Sequence, residues 1–231
     1  MTTIDVGAIY AAGQRRIAEL ARNVGEDDAR IVVPCCPRWT VHDLVAHLSG
    51  VVADAIVGTM AGAPGDAWTE AQVTPRRAWP LKDVLDEWDR NVGAFAAQLT
   101  AAADQAPTSV IMDITTHEQD LRGALGLSRM TDRVVIDWGT PRLVKGLGRR
   151  LDAAGLPAIT VGLDGEELTA GSAAVAGSAL RLDVSAFELF RAGLGRRSMA
   201  QLAALGWSGG DPTAVLDHLS VFPPAAYDII E

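Results

Sequence analysis

The sequence lacks the features that mark several large classes of protein. No apolar run reaches the roughly 18 residues that a membrane-spanning helix needs, and the opening MTTIDVGAIY has neither the cationic nor the apolar region of a secretory signal peptide. Only two cysteines occur among 231 residues. Cys35 and Cys36 are adjacent, a spacing that fits neither a CxxC zinc motif nor a disulfide framework. We therefore predict a cytoplasmic protein without a membrane partner.

Positive charge is also scarce. The chain has 20 lysines and arginines against 29 acidic residues, for a formal net charge of -9, and no basic stripe offsets the acidic surplus. Because such a surface repels a phosphate backbone, we expect no nucleic-acid partner. Hydrophobic residues make up 48% of the sequence, enough for a sizeable core in one large or two small domains.

The first 127 residues show the periodicity of helices only. Apolar stripes and end signals predict four helices: one over residues 5–22, one capped by Thr40 with Asp43 three residues on, one beginning at Pro80, and one ending near Gly126. Helices joined in this way favour a bundle, so we predict a helical domain over residues 1–127.

The segment between the second and third of these helices is rich in glycine, alanine and proline. Over residues 58–80 we predict a loop that carries the exposed indoles of Trp68 and Trp79. Loops of this length usually have a function.

The pattern changes after a polar link near residues 127–133. Short segments with β-branched or alternating residues predict three strands: VVIDW at 134–138, AITVGLDG at 158–165 and ALRLDV at 179–184. Helices are predicted between and after them, over residues 141–154, 185–193, 198–205 and 212–219. We therefore predict a second, smaller α/β domain, of the α+β kind, over residues 133–231.

Three side chains suited to bind a metal fall on two of the predicted helices. His47 lies in WTVHDLVAHL, beside the apolar stripe that should face the bundle interior, and Asp113 and His117 lie one helical turn apart in MDITTHEQDLRGALG. Two imidazoles and a carboxylate can hold a divalent cation and leave coordination positions open, as in catalytic zinc sites. The alternatives are a packing histidine and a solvated DxxxH edge, but the presence of histidines on two helices favours the metal.

Neighbouring residues have less definite roles. Asp120 is either the acceptor for the N–H of a ligating imidazole or the salt-bridge partner of Arg122 or another arginine. Glu118 lies at a different azimuth and is predicted to be solvated. We interpret Cys35 and Cys36 as small, partly buried residues before a helix, with a thiol lining the mouth of an active site as the alternative.

The strongest polar cluster of the second domain is GRRSMAQ. The planar guanidinium groups of Arg196 and Arg197 suit carboxylates, so we assign both to catalysis, as groups that hold an acidic substrate or the carboxylate of a thiol cofactor. Gln201 is assigned to cofactor binding. Surface salt bridging in a net acidic protein is the alternative.

Two segments resemble a known family. CPRWTVHDLVAHL resembles the N-terminal signature of the mycothiol-dependent maleylpyruvate isomerase family, and DITTHEQDLRGALG is similar to that family's later helix, in the same order and spacing. FELFRAGLGRRSMAQLAALGWSGGDP is similar to a stretch in many members of this group. The resemblance implies a DinB-like four-helix bundle followed by a smaller C-terminal α/β domain, in which His47, Asp113 and His117 bind a divalent metal, with zinc as the expected ion. Asp113 departs from the family, whose usual acidic ligand is glutamate, one methylene longer.

The resemblance also implies a chemistry. Mycothiol, a small cytosolic thiol, would be the cosubstrate, and its metal-bound thiolate would attack a small, electrophilic and acidic substrate. The result is cis-trans isomerisation if the adduct rotates and expels the thiol, or S-transfer if it does not. Two other classes stay open: a non-catalytic module that binds a metal or small ligand, and a metal-dependent hydrolase that uses bound water.

Overall fold

Helices dominate the computed structural model, which describes residues 4–60, 65–172 and 179–231. Two units separate within it: residues up to Met130 together with Glu231, and Thr131–Ile230. Residues 1–3 of the predicted first domain and 173–178 of the predicted second domain lie outside the described ranges. No helix in those ranges is both long and apolar enough to cross a membrane.

The first unit is a four-helix bundle, as the sequence predicts. Its helices are, in chain order, α1 (Val6–Arg22), α2 (Glu26–Ala29), α3 (Val41–Val57), α4 (Asp66–Val73), α5 (Leu81–Ala102) and α6 (Ser109–Ala124), with 3₁₀ turns at Thr74–Arg76 and Ala103–Gln105. The long helices surround one core, because α1 and α3 each contact both α5 and α6. Buried side chains at helical spacing fill that core, among them Leu44, Leu48, Trp88 and Phe95.

The ends of two bundle helices follow from local chemistry and lie where the sequence predicts them. Thr40 caps α3: its hydroxyl accepts from the Asp43 amide N–H at 3.2 Å, and the Asp43 carboxylate accepts from the Thr40 amide N–H at 3.1 Å. Gly126 follows α6 in the left-handed region, at a φ of 65°, and the Leu127 N–H donates to the Arg122 carbonyl oxygen at 2.9 Å. These bonds satisfy backbone groups that a helix end leaves without partners.

The predicted loop over residues 58–80 is wrong in its second half, where α4 and a 3₁₀ turn form; residues 61–64 of it lie outside the described chain. Packing against α3 stabilises α4. A Cβ atom on Gly50 of α3 would lie 2.5 Å from the Gln72 Cβ of α4, so only glycine lets the two helices come this close. Trp68, predicted to be exposed, is partly buried on α4, whereas Trp79 is exposed.

The second unit combines helices with a mixed sheet, four-stranded within the described residues, which is the predicted α+β class. Its elements are, in chain order, α7 (Val134–Ala153), β1 (Ile159–Leu163), β2 (Glu166–Ala170), β3 (Arg181–Val184), α8 (Ala186–Gly193), α9 (Met199–Ala203), β4 (Gly206–Ser208) and α10 (Thr213–Leu219). The strand order is β2-β1-β3-β4. The central strands β1 and β3 are parallel, and each pairs with its edge strand in antiparallel fashion.

One predicted strand of this unit is wrong. VVIDW forms the first turns of α7, which begins at Val134 rather than at residue 141. Its β-branched residues favour a strand locally, but Ile136 continues a buried helical stripe through Thr140, Val144 and Leu151. Burial along the whole helix therefore outweighs the local preference.

Two observed strands, β2 and β4, lie outside the predicted ones. β2 follows β1 through a two-residue turn: Leu163 pairs with Glu166, and the intervening Asp164 and Gly165 have φ values of 47° and 95°. Positive φ at both central residues is the geometry that an Asp-Gly hairpin turn favours. β4 adds an edge to β3 and is only three residues long.

Thr40→Ala removes the side-chain acceptor at the start of α3. We expect the free energy of unfolding of the bundle to fall by about 1 kcal/mol, because an amide of the first turn loses its partner. Chemical denaturation followed by circular dichroism measures the change. Thr40→Ser keeps the cap and should behave as the wild type. An unchanged free energy in Thr40→Ala would contradict the capping role.

Candidate metal centre

The predicted ligands His47, Asp113 and His117 meet inside the bundle. The Nε2 atom of His47, on α3, lies 3.8 Å from Asp113 Oδ2, and the Nε2 atom of His117, on α6, lies 3.4 Å from Asp113 Oδ1. One donor atom from each residue lies within 4.8 Å of the other two. Both histidines are buried, at 3% and 4% exposure, while the Asp113 side chain is 38% exposed and marks the open side of the cluster.

A glutamine fixes the ring of His47. The Nδ1 atom of His47 lies 2.8 Å from Gln72 Oε1, and Gln72 Nε2 donates to Asp54 Oδ2 at 3.1 Å. This amide orientation offers Nδ1 only an acceptor, so Nδ1 donates and Nε2 is left to face Asp113. Gln72 is absent from the predicted site because it lies in the segment predicted to be a loop.

A carboxylate fixes the ring of His117 in the same way. Asp120, which is buried on α6, has its Oδ2 atom 3.0 Å from the Nδ1 atom of His117. An ionised carboxylate only accepts, so Nδ1 donates and Nε2 is left to face Asp113. Of the two roles predicted for Asp120, the geometry matches the acceptor for an imidazole N–H.

The cluster stabilises positive charge beside Asp113. Burial opposes the imidazolium form of His117, but the Asp113 carboxylate and the hydrogen bonds of the ring outweigh it, so the pKa of His117 lies well above its usual value. Desolvation likewise opposes the Asp113 carboxylate, yet His117 and His47 hold the pKa of Asp113 well below its usual range. A divalent cation would receive the same attraction and would compete with the proton on His117 Nε2.

The donor set fits a zinc-like cation. Two imidazole nitrogens and one carboxylate form a known catalytic zinc set, in which a further position is open for water or substrate. Although Asp113 has the shorter acidic side chain, its two oxygens face both rings. The second hydrogen bond of each ring also matches the arrangement that orients histidine ligands in metal sites.

Two indoles flank the imidazoles. The centre of the Trp39 ring lies 4.9 Å from that of His47 and 5.9 Å from that of His117, and the Trp68 ring is perpendicular to His47 at 6.1 Å. These rings place apolar surface beside the cluster. The Trp68 Nε1 atom is buried and has no hydrogen-bond partner within the described residues, so a donor is available close to His47.

The prediction that Glu118 is solvated is wrong. The residue is fully buried, and its carboxylate oxygens lie 2.8 Å from Arg16 Nε and 3.3 Å from Arg122 Nε. Two guanidinium groups therefore compensate its charge, and the pair with Arg16 connects α6 to α1. Arg122, one helical turn after Glu118, is the feature of the sequence that indicates an ion pair at Glu118.

Cys35 and Cys36 lie in the turn before α3 and are partly buried, as predicted; the described structure contains no disulfide between them. Cys36 Sγ lies 3.8 Å from Asp120 Oδ2, and Cys35 Sγ lies 3.9 Å from Glu231 Oε1. Asp120 therefore contacts a thiol as well as the His117 ring.

The predicted arginine cluster lies in the second unit and makes structural contacts there. Arg197 is buried and pairs through Nε and Nη2 with the two Glu188 oxygens, at 2.9 Å each. Arg196 donates from Nη1 to a backbone carbonyl oxygen at 2.8 Å. Gln201 completes the capping box of α9 and exchanges hydrogen bonds with the Ile229 backbone. The assignment of these residues to catalysis and cofactor binding stays a prediction.

The sequence of this chain matches a known protein family. Residues 10–135 match the family model described as the mycothiol maleylpyruvate isomerase N-terminal domain. A solved structure described as the crystal structure of the mycothiol-dependent maleylpyruvate isomerase has 12% sequence identity and a TM-score of 0.54, over 85% of this chain and 92% of that chain. At this identity the likeness shows a shared fold. No curated protein matches the sequence significantly. Because the family model covers more than half of its length, the chain belongs to the mycothiol maleylpyruvate isomerase N-terminal domain family.

Proposed function

We propose that the chain is a metal-dependent enzyme that uses mycothiol as its thiol cosubstrate. It acts as an S-transferase or as a maleylpyruvate-type cis-trans isomerase on a small, electrophilic and acidic substrate. The observation that carries the proposal is the convergence of two oriented imidazole Nε2 atoms on the Asp113 carboxylate inside the bundle. Membership of the family supports mycothiol as the thiol, and a cytosolic thiol implies a cytoplasmic location.

His47, Asp113 and His117 are the residues that would hold the cation. When bound there, a cation of the zinc type would favour the thiolate form of the cosubstrate sulfur over the thiol. Because the Asp113 side chain is partly exposed, the thiol and the substrate would approach the cation from the side of Asp113. Binding the thiol and the substrate at one site makes a bimolecular reaction effectively unimolecular, because the reacting groups are held close together and oriented.

Four other side chains prepare this reaction. Gln72 and Asp120 keep the two rings in the ligating tautomer and orientation. Trp39 and Trp68 cover the rings and keep water away from the reacting sulfur. The buried Nε1–H of Trp68 is suited to donate to an oxygen of the bound substrate.

The sulfur forms a bond to one carbon of an electron-poor double bond, whose π electrons move onto the adjoining acceptor group. Rotation about the resulting single bond followed by expulsion of the thiolate gives the isomer. Protonation of the adduct instead gives a stable S-conjugate. Arg196 and Arg197 remain our candidates to bind a substrate carboxylate, although Arg197 would then share its guanidinium with Glu188. Gln201 remains our candidate contact to the cofactor.

We expect turnover that requires the thiol. The purified full chain is incubated with mycothiol and a panel of small electrophiles that includes maleylpyruvate, and products are identified by mass spectrometry. An unchanged substrate mass with altered geometry indicates an isomerase, and a mass increased by that of the thiol indicates a transferase. Turnover without thiol would instead favour a hydrolase, and saturable binding without turnover would favour a non-catalytic module; either result overturns the proposal.

The histidine assignments are tested by metal content. We expect His47→Ala and His117→Ala each to lower the divalent metal bound by the protein by about one equivalent, because three protein ligands hold the ion. Elemental analysis after dialysis measures the content. His42→Ala is the matched control: it lies on the same helix, and its ring contacts the Trp79 carbonyl oxygen instead. Full metal content in both test variants would show that these histidines are not ligands.

Gln72→Leu removes the acceptor that orients His47 and keeps a similar side-chain volume. We expect the metal affinity to fall roughly tenfold to a hundredfold, the usual effect of losing a partner behind a histidine ligand. Competition with a chromophoric chelator measures the dissociation constant. Gln98→Leu, at an exposed site on α5, is the control. Equal affinities in the two variants would mean that Gln72 does not orient the ligand.

A further inference from the structure

The turn before α3 directs two thiols to one side of the metal centre. An isolated bridge pairs Val32 with Thr40, the Val33 N–H donates to the Trp39 carbonyl oxygen at 2.9 Å, and the Cys36 N–H donates to the Val33 carbonyl oxygen at 2.9 Å. These backbone bonds constrain the turn at both ends. Adjacent side chains point apart in an extended strand, but in this turn both sulfur atoms approach carboxylates.

The donor atoms in this region form two groups that overlap at Asp120. Cys36 Sγ lies 3.8 Å from Asp120 Oδ2, and Cys35 Sγ lies 3.9 Å from Glu231 Oε1. One donor atom each from Cys35, Asp120 and Glu231 lie within 4.8 Å of one another, and so do one each from Cys36, Asp120 and His117. The Asp120 side chain is fully buried, and Cys35, Cys36, Asp120 and Glu231 all belong to the first unit. A buried carboxylate is costly unless its charge is paired, so a cation bound beside Asp120 and the two thiols would be attracted strongly.

We propose that Cys35, Cys36, Asp120 and Glu231 form a second metal site, separate from the one at His47, Asp113 and His117. Its ligand is a thiophilic divalent cation of the zinc or cadmium class, because two thiolates and two carboxylates make a tetrahedral set that such ions accept. Zinc binds sulfur at about 2.3 Å and oxygen at about 2.0–2.2 Å, so neighbouring donors in a tetrahedral zinc site lie roughly 3.5 Å apart. The observed thiol-to-carboxylate distances of 3.8 and 3.9 Å are close to that spacing. On binding, each cysteine releases its proton to solvent and the sulfur gives an electron pair to the ion.

The two sites are distinct but share a neighbour. His117 faces the first centre through Nε2 and donates from Nδ1 to Asp120. Both contacts fall on one Asp120 oxygen, because Oδ2 accepts from His117 Nδ1 and also lies 3.8 Å from Cys36 Sγ, so Asp120 joins the second site to the first. The second site goes beyond the proposed function, because the catalytic centre has its own three ligands and an open position without it.

Cadmium titration of the metal-free full chain tests the proposal. We expect the wild type to take up about two equivalents of Cd²⁺, and one of them should produce the near-ultraviolet charge-transfer absorption of a cadmium thiolate. Cys35→Ser/Cys36→Ser should lose that absorption and bind about one equivalent. His47→Ala/Asp113→Ala, which leaves all four proposed ligands in place, should also bind about one equivalent but keep the absorption. The helical circular dichroism of each variant, compared with the wild type, shows that the fold is retained.

Three results would overturn the second site. The first is the absence of thiolate absorption in the wild type. The second is its persistence in the double serine variant. The third is its loss in His47→Ala/Asp113→Ala, which would mean that sulfur and imidazole bind the same ion. The proposed catalytic function survives all three, because it rests on the histidine variants and on thiol-dependent turnover.

Discussion

The site depends on two buried imidazoles that each have one nitrogen committed to a hydrogen bond. His47 gives Nδ1 to Gln72 and His117 gives Nδ1 to Asp120, so the remaining nitrogens face Asp113. Buried nitrogen lone pairs opposite a carboxylate are costly unless positive charge lies between them. A proton meets this requirement, as the raised pKa of His117 indicates, and a divalent cation meets it more fully because it interacts with all three donors. The cluster is thus built to hold positive charge, whatever reaction that charge serves.

The geometry of this cluster depends in turn on a close helix contact. Gly50 lets α4 approach α3, and this approach brings Gln72 to His47. The turn that follows α4 is connected to α5 and α3 through Glu87 of α5, which accepts from Arg76 Nη2 at 2.9 Å and from Ser49 Oγ of α3 at 2.6 Å. Gly50 of α3 and the ion pair between Arg76 and Glu87 of α5 therefore position α4, whose Gln72 side chain accepts from His47. The packing of these helices therefore also determines the orientation of the candidate ligand His47.

Sequence patterns predicted the parts of this structure that depend on local chemistry. The Thr40 capping box, the Gly126 stop and the apolar stripes are local signals, and they located the helices that carry the three candidate ligands. The contribution of Gln72 could not be predicted in this way, because the close approach of α4 to His47 depends on Gly50 in a different helix. VVIDW was mistaken for a strand for the same reason, since burial along α7 decides its conformation. By contrast, the strand after Asp164 and Gly165 had a local signal in the Asp-Gly turn.

Two buried carboxylates on α6 lie two residues apart in the chain. The groups that compensate their charges distinguish a structural role from a role in metal binding. Glu118 contacts the guanidinium groups of Arg16 and Arg122. These cations are parts of the chain that a metal ion cannot replace, so the charge of Glu118 stabilises helix packing. Asp120 contacts an imidazole and a thiol, groups whose protons a metal ion can replace. Sequence spacing alone assigned Glu118 to solvent, because azimuth on one helix does not reveal which cations a neighbouring helix supplies. The identity of the contacting partner, more than burial itself, therefore distinguishes a structural carboxylate from one that belongs to a metal-binding region.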